Sequence, residues 1–340
     1  MKFDLFLVHN TFQDFGGAER KIISLHNYAT ENSKKSIIYS FSKPPSNLGL
    51  IMDSIKKDSF IFGLRGLMCL LFCKVEHLII SNHPVQLYLI LLAPILRLKS
   101  SRITWLVNEI PYKLRSSSRV LIYSYLSRLF IFLTKARLVS NSKNTCKDIR
   151  RYLKINSEIV YPGIVEKNYR CDIYQRGSRC LVLGRISSDK NFELLFELLK
   201  QYPELEIDIC GSMTSTSDKV ESLLSPFKSR VSYRYDISFK EKIRYLHQAK
   251  CAFFLPKHEP FGVVPLEFIA SGLPFVCFRS TGFARALAKI EEISPLCIIV
   301  DSGVEFIESV PVLTDSKIKG IDQLPTSFTH DYMCAKILNV

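Results

Sequence analysis

The sequence predicts an α/β protein of two doubly wound domains, and three observations carry the prediction. The chain has 340 residues, too many for one ordinary domain and suited to two of roughly 100–200 residues each. Short apolar runs alternate with longer amphipathic stretches, the pattern of βαβ units around a parallel sheet. That alternation restarts near residue 179, after a polar stretch over 166–178 that lacks an apolar period and reads as a linker. A composition of 47% hydrophobic and 23% charged residues allows a large core and excludes global disorder. With 14 glycines and no fixed period, collagen-like and solenoid architectures are excluded as well.

In the first half, residues 3–9 open the chain as a strand. They hold an acid in mid-run and no cleavage site, so they do not read as a signal peptide. A helix follows over 18–30 and a strand over 36–41. Next come a helix over 63–73, a strand over 77–81, a helix over 85–96 and a strand over 102–107. Residues 77–96 carry no Lys, Arg, Asp or Glu, but their continuous apolar part is only 87–96. That falls short of the about 18–20 residues a membrane span needs. A helix over 118–135, a strand over 138–140, a helix over 143–153 and a strand over 159–160 complete the set. The second half repeats the scheme. Strands are expected over 179–183, 205–210, 231–233, 251–255 and 275–278, and helices over 191–201, 218–228, 240–248 and 263–271. The domains are accordingly 1–168 and 169–325, with 326–340 a C-terminal helix placed to pack back on the first. In such sheets ligands bind beyond the carboxyl ends of the strands, which makes the cleft between two domains the default site.

Charge is uneven along the chain. Residues 1–168 hold 25 basic and 11 acidic side chains, whereas 169–340 hold 21 of each. The whole excess of +14 therefore belongs to the first half, which points to an anionic partner: nucleic acid, lipid or phosphorylated substrate. Within 97–154 there are 14 cations and two acids, Glu109 and Asp148, around the apolar run 120–133 with Tyr123, Tyr125, Phe130 and Phe132. Two readings stand: an interfacial anchor on an anionic membrane, or a core helix among solvated charges. The ten cysteines include no CxxC and sit mostly in apolar runs, as small buried hydrophobes of a reducing compartment do. The expected location is cytoplasmic, peripheral on the membrane face. No metal-ligand cluster of spaced His, Cys or Asp occurs, which is consistent with the metal-free, cofactor-free chemistry that the family resemblance given below implies.

Four segments end strands in ways that matter chemically. Gly16-Gly17-Ala18-Glu19-Arg20 opens the first helix, where two glycines let a backbone approach a phosphate or simply make a tight turn. Neither GxGxxG nor GxxxxGK[ST] occurs, which disfavours nicotinamide and P-loop chemistry. Gly184-Arg185-Ile186-Ser187-Ser188-Asp189-Lys190 follows the first strand of the second half. Arg185 and Lys190 either converge on one anion, such as a diphosphate, or flank a helix cap with Lys190 solvated. Residues 251–278 run strand, loop, helix, strand, with Glu259 in the loop and Glu267 inside an apolar helix. A buried Glu267 demands a partner, such as ribose hydroxyls; the alternative puts it on a solvated stripe. Tyr161-Pro162-Gly163 is by itself a turn signal.

In this order, these segments resemble the GT-B-fold retaining glycosyltransferases of family 4. That family runs GGAE near the start, YPG at the end of the first domain, GR-x4-K in the second, and then E-x-F-G-x-x-x-x-E. Here those stand as Gly16–Glu19, Tyr161–Gly163, Gly184–Lys190 and Glu259–Glu267. The resemblance implies two Rossmann-like domains facing across a cleft, and a nucleotide-diphosphate sugar, UDP- or GDP-linked, as donor. Gly16 and Gly17 would lie near its diphosphate, and Arg185 and Lys190 would neutralise it. Glu267 would take the ribose hydroxyls; Glu259 and the backbone of Phe261, Gly262 and Val263 would hold the sugar. Many relatives place a histidine in a first-domain loop near the reacting centre, in an H-E-x-P or H-x-x-P context. Asn108 stands at that position here, with His83 the nearest substitute, so the catalytic candidates are Glu259, Asn108 and His83. The reaction implied is transfer of a hexosyl unit with retention, to an acceptor seated in the first domain; the basic, aromatic-rich stretch 97–154 makes a lipid-linked or other membrane-associated acceptor the expectation. Epimerisation or hydrolysis on the same scaffold is the rival enzymatic reading. A basic nucleic-acid-binding protein is the other, but it leaves Glu259 and Glu267 unexplained, no recognised module appears, and no nucleic acid is expected.

Overall fold

The structure, a computed structural model, describes residues 2–12, 16–43, 59–82, 84–110, 117–170, 176–287, 296–315 and 324–339. The chain divides into two compact units, Met1–Pro162 with His330–Val340, and Gly163–Thr329.

The first unit runs β1 (Lys2–His9), α1 (Gly17–Glu31), β2 (Ser36–Ser40), β3 (Phe60–Phe62), α2 (Gly63–Phe72), β4 (Lys74–Ser81), α3 (Val85–Tyr88), α4 (Ala93–Lys99), β5 (Ser100–Val107), α5 (Ser117–Thr134), β6 (Arg137–Ser140), α6 (Lys143–Leu153) and β7 (Glu158–Ile159). Its seven strands are all parallel, in the order β3-β2-β1-β4-β5-β6-β7. The chain order reverses between β1 and β4, so the ends of those two strands flank the natural ligand crevice. Strands such as β1 read as near-continuous apolar runs because helices cover both faces. One face packs α2, α4, α5 and α6 through Leu70, Leu96, Phe130 and Ile149. The other packs α1 through Ile22 and Leu25.

The expected helix over 85–96 is broken into α3, a 3-10 turn at Ile90–Leu92, and α4, whose start carries Pro94. Proline removes one backbone donor and is tolerated only in a first helical turn. In α5 the apolar run is divided between a buried and an exposed face. Tyr123 and Phe130 are buried, while Leu121, Ile122, Tyr125 and Phe132 are exposed.

The second unit runs β8 (Cys180–Leu183), α7 (Phe192–Gln201), β9 (Ile207–Gly211), α8 (Ser217–Leu224), β10 (Val231–Tyr235), α9 (Phe239–Gln248), β11 (Ala252–Phe254), α10 (Val264–Ala270), β12 (Phe275–Phe278), α11 (Gly282–Leu287), β13 (Cys297–Val300), α12 (Gly303–Glu308) and α13 (Val310–Asp315). Its six strands are parallel, in the order β10-β9-β8-β11-β12-β13, and the chain order reverses between β8 and β11. The expected helix over 218–228 ends at Leu224, and Pro226 heads a separate 3-10 turn. After the second unit, α14 (His330–Leu338) rejoins the first and packs Met333 and Ile337 into the core beside α1. No described helix is long and apolar enough to cross a membrane. The described cysteines are free thiols, all buried or half-buried.

Candidate functional site

In the second unit the candidate residues leave the two strands that flank the switch point. Gly184 follows β8 with φ +143, a conformation that suits glycine. Beyond it, Arg185 is exposed, and residues 188–190 form a 3-10 turn. Asn191, at φ +62, starts α7 and donates its side-chain amide to the Leu255 carbonyl (2.9 Å) at the end of β11. That bond ties the two strand-end loops together, and Lys190 crosses the same gap. Its ammonium lies 2.7 Å from Glu259 Oε2, with side chains 18% and 24% exposed. Lys190 is therefore not left to solvent alone: its near partner is 69 residues downstream, with the sequence-adjacent Asp189 at 4.0 Å. The exposure of both groups leaves the pair open to competition by a ligand.

The loop after Glu259 is tightly built. Phe261 is buried against Phe283 and Phe328. Gly262 has φ +91, and Val263 accepts from the Leu266 amide (2.9 Å) as α10 begins. A Cβ on Gly282 would come 1.8 Å from the Pro260 carbonyl oxygen, so the loop backbone can lie there only over glycine. Glu267 is 2% exposed, which rules out the solvated stripe. Its Oε1 receives the Lys242 ammonium from α9 (2.6 Å) and the Tyr169 hydroxyl (2.9 Å). The compensating partner of this buried carboxylate is thus a lysine of the same unit. Sequence reading missed Lys242, although a signal existed: apolar Leu246 and Ala249 follow it at i+4 and i+7, which puts a lysine on the buried face of α9.

In the first unit the candidates also gather at strand ends. Gly16 and Gly17 begin α1, but the Gly16 amide already donates to Glu19 Oε2 (2.8 Å), and Glu19 Oε1 lies 2.7 Å from His9 Nε2 at the end of β1. The first helical turn therefore holds a carboxylate of its own where a phosphate was expected. Asn108, after β5, is engaged on both sides: Oδ1 accepts from Lys21 Nζ (2.6 Å), and Nδ2 donates to Asn82 Oδ1 (2.6 Å) after β4. Lys21 is buried on α1, and that burial pushes its ammonium down to about 8. His9, Lys21 and Asn82 are further residues that sequence reading passed over. Lys21 stands one turn before Leu25 on the buried face, the same kind of signal as Lys242. His83 lies outside the described residues.

Among the described residues no three His, Cys, Asp or Glu side chains are placed to share a metal ion. A cavity of about 220 Å³ among Asp4, Glu76, His77 and Arg102 opens at the opposite, amino-terminal ends of the strands, away from every candidate above.

Comparison with known proteins follows the same division. Residues 172–294 match the family of glycosyl transferases group 1. Over 128 residues the chain is 25% identical to the mannosylfructose-phosphate synthase of Agrobacterium fabrum (strain C58 / ATCC 33970). That match covers 33% of this chain and spans 28% of the relative. Among solved structures, the sucrose-phosphate synthase (tll1590) from Thermosynechococcus elongatus is similar at a TM-score of 0.66 and 12% identity, over 99% of this chain and 94% of that one. The apo lipopolysaccharide outer core galactosyltransferase WaaB is similar at 0.60 and 16%, over 99% and 94%. At those identities the likeness shows the fold. The chain thus consists of two parallel-sheet α/β units of the GT-B fold, and within the second unit residues 172–294 are similar to the glycosyl transferases group 1 family.

Proposed function

We propose that this protein transfers a hexosyl unit from a nucleotide-diphosphate sugar to an acceptor with retention at the anomeric carbon. The observation that carries the reading is the Lys190–Glu259 pair, held at the switch point of the second sheet beside the exposed Arg185. A diphosphate entering there competes for the Lys190 ammonium and adds the planar fork of Arg185. Release from Lys190 leaves the Glu259 carboxylate to accept hydroxyl protons of the sugar. Fixed cations at the leaving diphosphate stabilise the charge that develops as the glycosidic bond breaks. Glu267 takes the ribose hydroxyls, and Lys242 compensates its charge while no nucleotide is present.

The acceptor belongs to the first unit and is lipid-linked or otherwise membrane-associated, in keeping with the cationic excess there. Asn108 is the catalytic candidate on that side; its bonds to Lys21 and Asn82 fix the orientation of its amide. The protein works from the cytoplasmic face as a peripheral membrane enzyme. Its donor is UDP- or GDP-linked, and it requires no metal.

Incubation with a panel of radiolabelled UDP- and GDP-sugars plus lipid extract tests the reading. Label should move into an organic-soluble acceptor. Release of free sugar alone would show hydrolysis, and a changed sugar still on its nucleotide would show epimerisation. Tight, salt-sensitive RNA binding with no labelled product would sink the transferase.

A further inference from the structure

We propose that the first unit docks on an anionic phospholipid bilayer through the outward faces of α2, α4 and α5 and the 3-10 turn at Ile90–Leu92. These elements pack side by side on one face of the first sheet, sharing one core through Leu70, Leu96 and Phe130. On the side away from that core they expose Leu64, Phe72, Leu91, Leu98, Leu121 and Phe132. Leu91 and Leu98 are 89% and 86% exposed. One exposed leucine is ordinary, but an apolar array across three neighbouring helices marks an interaction face.

The charges on the same elements select the occupant. Residues 62–73, 84–99 and 117–135 contain Arg65, Arg97, Lys99, Arg119, Arg128 and Lys135, and no Asp or Glu. Arg65, Arg97, Arg128 and Lys135 are exposed beside the apolar side chains. Along α5, exposed Leu121, Tyr125, Arg128 and Phe132 follow one another at helical spacing, and the Lys135 ammonium sits 4.5 Å over the Phe132 ring. A second copy of this face would oppose cations with cations, which disfavours self-pairing. An anionic bilayer supplies hydrocarbon for the leucines and negative headgroups for the cations at once. No described helix is long and apolar enough to cross, so the contact is interfacial. The surface is broader than the basic stretch of the sequence suggested, because α2 adds Leu64 and Phe72 to it.

This deepens the membrane-acceptor reading, and its test reads binding alone, so either can fail while the other stands. The full chain is floated with vesicles of phosphatidylcholine, with and without phosphatidylglycerol. It should rise with the anionic vesicles and stay behind with the neutral ones. Combined Leu91→Ser, Leu98→Ser and Phe132→Ser should cut binding by about tenfold or more, since three apolar side chains lose their burial. Combined Arg97→Glu, Arg128→Glu and Lys135→Glu should cut it by about as much. In a separate Phe132→Trp protein, indole emission should shift to the blue on anionic vesicles, against the constant background of buried Trp105. Wild-type protein left in the soluble fraction with both vesicles would overturn the proposal. So would flotation indifferent to both triple variants, or a stable soluble dimer that the serine variant dissociates.

Discussion

The two units are built alike, as parallel sheets whose strand order reverses at one point, yet they place their charged residues differently. In the second unit the charges face each other across the switch point or are compensated inside it: Lys190 meets Glu259, and Lys242 meets Glu267. In the first unit the strand-end polar groups close on themselves, His9 with Glu19 and Lys21 with Asn108, while Arg65, Arg97 and Arg128 stand exposed on helices that also expose leucines. The balance of charge in one half of the sequence and the surplus in the other thus correspond to two arrangements, and the two proposals above assign them different partners: a compact anionic ligand for the second unit and an anionic bilayer for the first.

The largest expected effect probes the buried pair of the second unit. Glu267→Ala leaves the Lys242 ammonium buried without its counter-charge and should cost about 3–5 kcal/mol of stability in urea unfolding. Glu267→Leu together with Lys242→Met should recover most of that loss, because an apolar pair of similar volume needs no compensation. A single variant that costs nothing would mean the pair is hydrated in solution and the contrast between the units is weaker than drawn.

Acid probes the first unit. His26, bonded to Ser36, is lowered by burial to about 4. His77, bonded to Thr104, is lowered by burial and by Arg102, Arg137 and Lys34 to about 3. Both stand below the unfolded value of about 6.5, so their neutral forms favour the fold. That stability is fully present above pH 6.5 and is lost as pH falls from there through about 4 and 3. At pH 5 the loss should be about 2 kcal/mol for each histidine. Urea midpoints for the first unit should fall between pH 7 and 5, and His77→Gln should show the shallower pH slope.

Donor binding should respond next. Lys190→Ala or Arg185→Ala should weaken UDP or GDP by about tenfold or more, from about 1.5–3 kcal/mol per charged hydrogen bond, with little change in melting temperature. Glu267→Gln should weaken the nucleotide as well as the full donor, since both carry the ribose. Calorimetry with unchanged nucleotide affinity in all three would remove the donor assignment from the second unit. The smallest effect is expected at Asn108. Asn108→Ala removes the acceptor of the buried Lys21 ammonium and should cost about 1–3 kcal/mol of stability. In the transfer assay it should also slow turnover more than it weakens the nucleotide, whose proposed contacts lie in the other unit.

Much of this was legible in the sequence because the information is local. Strands announce themselves as apolar runs, and their carboxyl ends carry Gly184–Lys190 and Glu259–Val263, so both halves of the second unit's candidate site could be named before their proximity was known. The short strand β3 and the break at Pro94 were missed, the first because three residues make no period, the second because an apolar run reads alike in a straight helix and a broken one. What tertiary structure alone decided are the partners and the faces. Lys190 pairs across 69 residues with Glu259 rather than with its neighbour Asp189, and Glu267 finds Lys242 and Tyr169 from two other segments. Whether Leu98 or Phe132 points inward depends on which side of α4 and α5 the sheet covers. A side chain's sequence neighbours set its helix or strand. Its burial, and with it the worth of its charge or its apolar surface, is set by elements far away in the chain.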